Sequence, residues 1–130
     1  MWLFTVHGFY SVSVLPGSPK TCVRARLRKH LEALRIRFKL QYDIVRTDGC
    51  DYLYRMLVPK KVWAGVVKEL TAEQTWSNFK RQAAKVNGRD AYERALHEVW
   101  EVMFELQRKE TYETRLPGRS PARGRKQPKV

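Results

Sequence analysis

The apolar residues change their spacing across a single Pro-Gly step, and this bounds the fold more tightly than any other feature of the chain. Tyr10, Val12 and Val14 alternate with Ser11 and Ser13, one side apolar and the other polar, as in a strand that lies over a core. Beyond Pro16-Gly17, the residues Val23, Leu27, Leu31, Leu34 and Phe38 fall within about 80° of one another on a helical wheel, a narrow stripe suited to packing on a sheet. Ser18-Pro19 offers a capping hydroxyl and a proline for the first helical position, so a helix is predicted over 20–39. A chain that carries both periods needs a sheet and a helix to cover it.

The remaining segments extend this pattern. Residues 2–15 read as extended, with Gly8 either the turn of a hairpin or a bulge in one long strand. Runs 41–47 and 52–58 flank Asp48-Gly49, a favoured hairpin dipeptide, and should pair antiparallel. Pro59 can open a helix whose apolar side is Val62, Trp63, Val66, Val67 and Leu70. A short helix over 75–86 should end at Asn87-Gly88. Asp90 and Glu93 form a capping-box-like start to the last helix, whose stripe is Tyr92, Leu96, Val99, Met103 and Leu106. The expected fold is α+β: a small antiparallel sheet of three or four strands covered on one face by helices. It should form a single domain over 1–114, followed by a disordered basic tail over 115–130, where proline, glycine and basic residues leave nothing to bury. No internal repeat is visible.

Composition supports one folded domain. With 130 residues, of which 12% are aromatic, the chain can bury one core. No apolar run approaches the roughly 20 residues of a membrane span. Met1 to Val6 is apolar but lacks the basic flank of a signal peptide, so a cytoplasmic protein is expected. Cys22 and Cys50 lie in no metal-binding spacing and fit a reducing compartment.

The net charge of +13 is unevenly placed. Residues 20–39 hold eight basic side chains against Glu32 alone, residues 40–114 cancel, and 115–130 hold six basic residues and no acid. On the predicted helix Arg24, Arg28, Arg35 and Lys39 line one flank of the apolar stripe, and Arg26, Arg37 and His30 line the other. Both flanks should stay wet, leaving a row of guanidinium groups that can neutralise phosphates without reading sequence. In the tail, Arg119, Arg123, Arg125, Lys126 and Lys129 resemble a flexible basic arm. The same charges on a solvated helix or terminus serve solubility alone.

The hairpin adds a further candidate. Tyr52 and Tyr54 share one strand face with Met56, while Arg55 points the other way with Leu53 and Leu57. Aromatics on an open sheet face stack unpaired bases, but tyrosine beside Met56 and Val58 has the composition of a core. The sequence shows no catalytic constellation, metal-ligand spacing or cofactor motif: His7, His30 and His97 are scattered, and nucleophile elbow, phosphate loop and dinucleotide-binding glycines are absent. Asn78 and Lys80 between Trp76 and Phe79, with His7, make a possible ligand site for an anion. Equally, Asn78 can cap a helix while its aromatic neighbours fill the core, which is the favoured alternative.

Several segments resemble a family of small, mostly uncharacterised bacterial and phage proteins. They are Met1-Trp2 with Thr5, Gly8-Phe9 and Ser11; Val23-Arg24-Ala25-Arg26 before Leu31-Glu32-Ala33-Leu34; Asn78-Phe79-Lys80 after Trp76; and Tyr92, Val99-Trp100 and Met103 through Leu106-Gln107. The resemblance spans about residues 1–107 and leaves the tail outside. Trp76 stands where the pattern has Tyr, and Arg89-Asp90-Ala91-Tyr92 lacks a histidine after the arginine. The resemblance implies a shared fold and brings no activity with it. The charge pattern therefore leads: a small basic module that contacts nucleic acid through phosphates with little sequence specificity. The alternatives are a module that binds an acidic protein partner, and an enzyme of unknown reaction.

Overall fold

The structure, a computed structural model, describes residues 1–115. The predicted tail from Leu116 onward lies outside the described residues. The chain divides into two compact units, Met1–Glu93 and a second that begins at Arg94.

The first unit opens with a hairpin. Strands β1 (Trp2–Thr5) and β2 (Gly8–Val14) pair antiparallel with Thr5 opposite Gly8, which resolves the Gly8 alternative in favour of a turn. Thr5 closes that turn: its Oγ1 accepts from the amides of His7 and Gly8 and donates to the Gly8 carbonyl. Gly8 is there for space. A Cβ on it would lie 2.4 Å from the ring of His30.

Strand β3 (Lys20–Ala25) follows a second hairpin, and here the structure corrects the predicted helix over 20–39. Pro16-Gly17 is not a strand-to-helix junction; Leu15 and Lys20 bond across it, and the Ser18 hydroxyl accepts from the Lys20 amide inside the turn. Val23 satisfies both periods, since it continues the alternation of Thr21 and Ala25 as well as heading the helical stripe. What decides is that β3 is the central strand, bonded to β2 on one side and to β5 (Tyr54–Pro59) on the other. Helix α1 therefore begins later, at Arg28–Phe38, with Leu27 at its N-cap.

The antiparallel pairing expected around Asp48-Gly49 forms, but the run 41–47 shortens to a two-residue strand β4 (Val45–Arg46), and β5 begins at Tyr54, leaving Tyr52 in the connecting loop. The sheet has five strands, not three or four, in the order β1-β2-β3-β5-β4. Helices α2 (Lys60–Ala72) and α3 (Phe79–Asn87) come next, then α4 (Ala91–Arg115), which starts in the first unit and continues into the second. Asp90 Oδ1 accepts from the Glu93 amide, so the predicted cap opens α4.

The core lies on one face of the sheet. Tyr10 and Val12 of β2, Val23 and Ala25 of β3, and Met56 and Val58 of β5 are buried against Leu31 and Leu34 of α1 and Trp63 and Val66 of α2. Burying each large side chain is worth about 1.5–3 kcal/mol, so this layer carries most of the stability of the unit. In the second unit the Trp100 and Phe104 rings stack at 5.2 Å. Among the described residues no helix is long and apolar enough to cross a membrane.

Candidate functional site

The pleat that sends Tyr10, Val23 and Met56 into the core sends their neighbours to the opposite face. The strand register lines these neighbours up. Trp2 stands opposite Ser11, Ser11 opposite Arg24, Arg24 opposite Arg55, and Arg55 opposite Val45, giving one row across all five strands. Phe4 opposite Phe9 begins the next row.

The β1 end of this face is aromatic. Phe4 and Phe9 stack at 4.4 Å with their planes 15° apart, and Trp2 meets Phe9 edge-on at 5.8 Å. Trp2 is 68% exposed and Phe4 38%. Tyr52, in the loop before β5, lies 6.3 Å from Phe9 and carries the guanidinium groups of Arg24 and Arg26 over its ring, at 5.0 and 4.5 Å. The centre of the face is cationic. Arg24 and Arg55 are cross-strand partners on the same face, an arrangement that repels. Arg24 Nη2 donates to Ser11 Oγ at 2.8 Å, and neither arginine forms an ion pair among the described residues. Their Nε–H groups are buried without an acceptor. Asp43 lines the groove beside Arg55 without pairing with it, and two adjacent forks held by no ion pair suit an anion with several oxygens.

The predicted row of helix charges breaks up. Arg24 belongs to β3 and Arg26 to the loop after it, where it also pairs with Asp51 at 3.0 Å. Of those that do lie on α1, Arg28 and Arg35 share Glu32, and Arg37 pairs with Glu73. Lys39 is the left-handed C-cap of α1. The ion pairs of α1 thus set its positive charges beside Glu32, Glu73 and, for Lys29, Asp90 ahead of α4. Arg119, Arg123, Arg125 and Lys126 lie outside the described residues.

His30 is a further correction, because it does not line a wet flank. It is buried over Gly8, whose lack of a side chain leaves room for the ring: its Nδ1 accepts from the Phe9 amide, and its ring packs edge-on against Tyr92 at 4.7 Å. Burial, helped by the neighbouring Lys29 charge, pushes its pKa down to about 4, so it stays neutral. The Tyr10 hydroxyl, whose own pKa burial raises, donates to the His30 carbonyl at 2.7 Å.

The possible ligand site is taken up by structural tasks. The Asn78 side chain caps α3 by accepting from the Arg81 amide, and Lys80 follows in the first turn. His7 Nε2 lies 2.7 Å from Glu73 Oε1. Burial would raise the Glu73 carboxyl, but hydrogen bonds from His7 and Arg37 outweigh it and hold the group below the usual carboxylate range. Glu73 thereby ties the β1–β2 turn to the ends of α1 and α2. The nearby groove between β1, α2 and α3 is lined by Leu3, Phe4, Val67, Leu70, Trp76 and Phe79, and not by His7, Asn78 or Lys80.

On the hairpin, Tyr54 and Met56 face the core side, and Tyr52 is buried beside Arg24 and Arg26. Trp2, Phe4, Phe9 and Arg55 were not candidates from sequence. The signal that could have found them is their alternation with Leu3, Tyr10, Met56 and Val58, once those are taken as the inward set. Comparison with protein-family models, with curated proteins and with solved structures finds no match to this chain.

Proposed function

We propose that the protein is a small nucleic-acid-binding module that holds phosphates on the uncovered face of its sheet. The observation that carries this is the Arg24–Arg55 pair: two arginines at opposed positions of neighbouring strands, on the side away from the core, neither of which forms an ion pair among the described residues although Asp43 lines the groove beside Arg55. Such a pair costs stability in the free protein, and a phosphate lying across it turns repulsion into two charge-assisted contacts. The basic residues of 116–130 add sequence-independent attraction. Contacts of this kind position a polymer and read little sequence. The two free thiols fit a reducing compartment, and the cytoplasm is the proposed location.

The test is a salt series. Fluorescence anisotropy of a labelled oligonucleotide, titrated with the full chain from low to physiological salt, should give a linear fall of log affinity with log salt. Arg24→Gln and Arg55→Gln should each flatten that slope by about one. Polyglutamate of similar charge density should compete poorly. Absence of binding at low salt, or stronger binding to polyglutamate, would overturn the proposal in favour of an acidic protein partner or neither.

A further inference from the structure

Resting on that proposal, we infer that the polymer is single-stranded, with unpaired bases stacked on the Trp2, Phe4 and Phe9 cluster while their phosphates lie over Arg24 and Arg55. Three features of the uncovered face point this way. First, the cluster is open at an edge strand: Trp2 and Phe4 belong to β1 and remain 68% and 38% exposed. Phe4 and Phe9 stack against each other, and the planes of Trp2 and Phe9 meet at 89°. With 68% of its surface exposed, the indole is within reach of a stacking partner.

Second, the aromatic and cationic parts share one row. Trp2, Ser11, Arg24 and Arg55 are successive cross-strand partners, and strands lie about 4.8 Å apart, so Trp2 and Arg24 are about 10 Å apart at the backbone. One or two nucleotides can bridge that interval, with base at one end and phosphate at the other. Tyr52 and Arg26 continue the alternation of ring and guanidinium beside it. Third, a duplex cannot use the rings. Its base faces are occupied by stacking with their neighbours, so a flat sheet bearing exposed rings gains from unpaired bases only.

The experiment compares four probes of equal length and phosphate number: single-stranded DNA, single-stranded RNA, duplex DNA, and an abasic strand that keeps the phosphates and lacks the bases. The full chain should bind at least one single strand about tenfold or more tightly than the abasic strand and the duplex. Trp2→Ala and Phe4→Ala should each remove about fivefold or more of that advantage and leave abasic binding unchanged, whereas Trp2→Phe should largely keep it. Because Trp2 is exposed, the variant should fold, and circular dichroism with light scattering checks this. Equal affinity for single and abasic strands overturns the stacking inference and leaves phosphate binding intact; no binding by any probe overturns both. If Trp2→Ala converts a dimer to a monomer without changing single-strand affinity, the cluster is a self-association surface and the inference fails.

Discussion

The two faces of the sheet are made from the same strands, residue by residue in alternation, yet they follow opposite rules. On the covered face Tyr10, Val12, Val23, Met56 and Val58 are buried, and His30, the titratable ring packed beneath them, is held neutral. On the uncovered face β3 and β5 place two arginines opposite each other, and β1 leaves a tryptophan and a phenylalanine open. One face excludes charge and the other concentrates it. A second contrast runs alongside: α1 carries three arginines to the two of the sheet face, but Arg28, Arg35 and Arg37 lie beside Glu32 or Glu73. Charge counted along a sequence is therefore a poor guide to charge available to a partner, because local acids screen part of it.

The sharpest way to break the contrast is to cut the covered face. Met56→Ala should lower unfolding free energy by about 3 kcal/mol, by chemical denaturation, as expected for a fully buried side chain. If it weakens nucleic-acid binding below the unfolding transition as much as Arg55→Gln does, the two faces are not functionally separate.

His30 gives an effect of similar size that depends on pH. Its folded pKa of about 4 lies below the ordinary 6.5, so the neutral ring contributes stability in full above about pH 6.5. That contribution should fall by about 3 kcal/mol as the pH drops towards 4, as the unfolded chain takes up a proton that the folded chain resists. His30→Asn should be less stable at neutral pH, and its melting temperature should change less between pH 6.5 and 4. An identical slope in both proteins would assign the acid sensitivity to other groups.

On the uncovered face, the double variant Arg24→Gln with Arg55→Gln should lose about 100-fold in affinity at low salt, about 2.7 kcal/mol. Arg28→Gln with Arg35→Gln removes the same formal charge and should cost about threefold or less. Equal losses would restore the helix as the binding surface. The smallest effect has the opposite sign: Arg55→Val should raise stability by about 0.5 kcal/mol, since it relieves a like-charge pair and adds a strand-forming residue. A gain in melting temperature together with a loss of binding would show that the repulsion is kept for a ligand.

Much of the covered layer was legible because local signals and tertiary outcome agree there. Asp48-Gly49 turns the β4–β5 hairpin, Pro59 precedes α2, and Asp90 caps α4. Asn78 also caps α3, the structural one of its two predicted roles. The misplacement of β3 has a definite cause. Val23 obeys both periodicities, Ser18-Pro19 imitates a helix start, and the hydrogen bonds that β2 and β5 offer to this segment are invisible to any local pattern. That one shift moved Arg24 from a helix flank to a sheet face, whereas His30 is buried by its approach to Gly8, a tertiary contact that no helical wheel contains.

By itself the sequence determined the α+β class, most of the turns, and the excess of positive charge, because period, capping residues and formal charge are properties of short stretches of chain. Only the tertiary structure decided which charges are screened and which are open. Trp2, Ser11, Arg24 and Arg55 become neighbours through three strand pairings, and pairing register is set by which side chains fit the core on the far face. The candidate site is thus a by-product of packing the other side of the sheet, which is why no segment of the chain announces it.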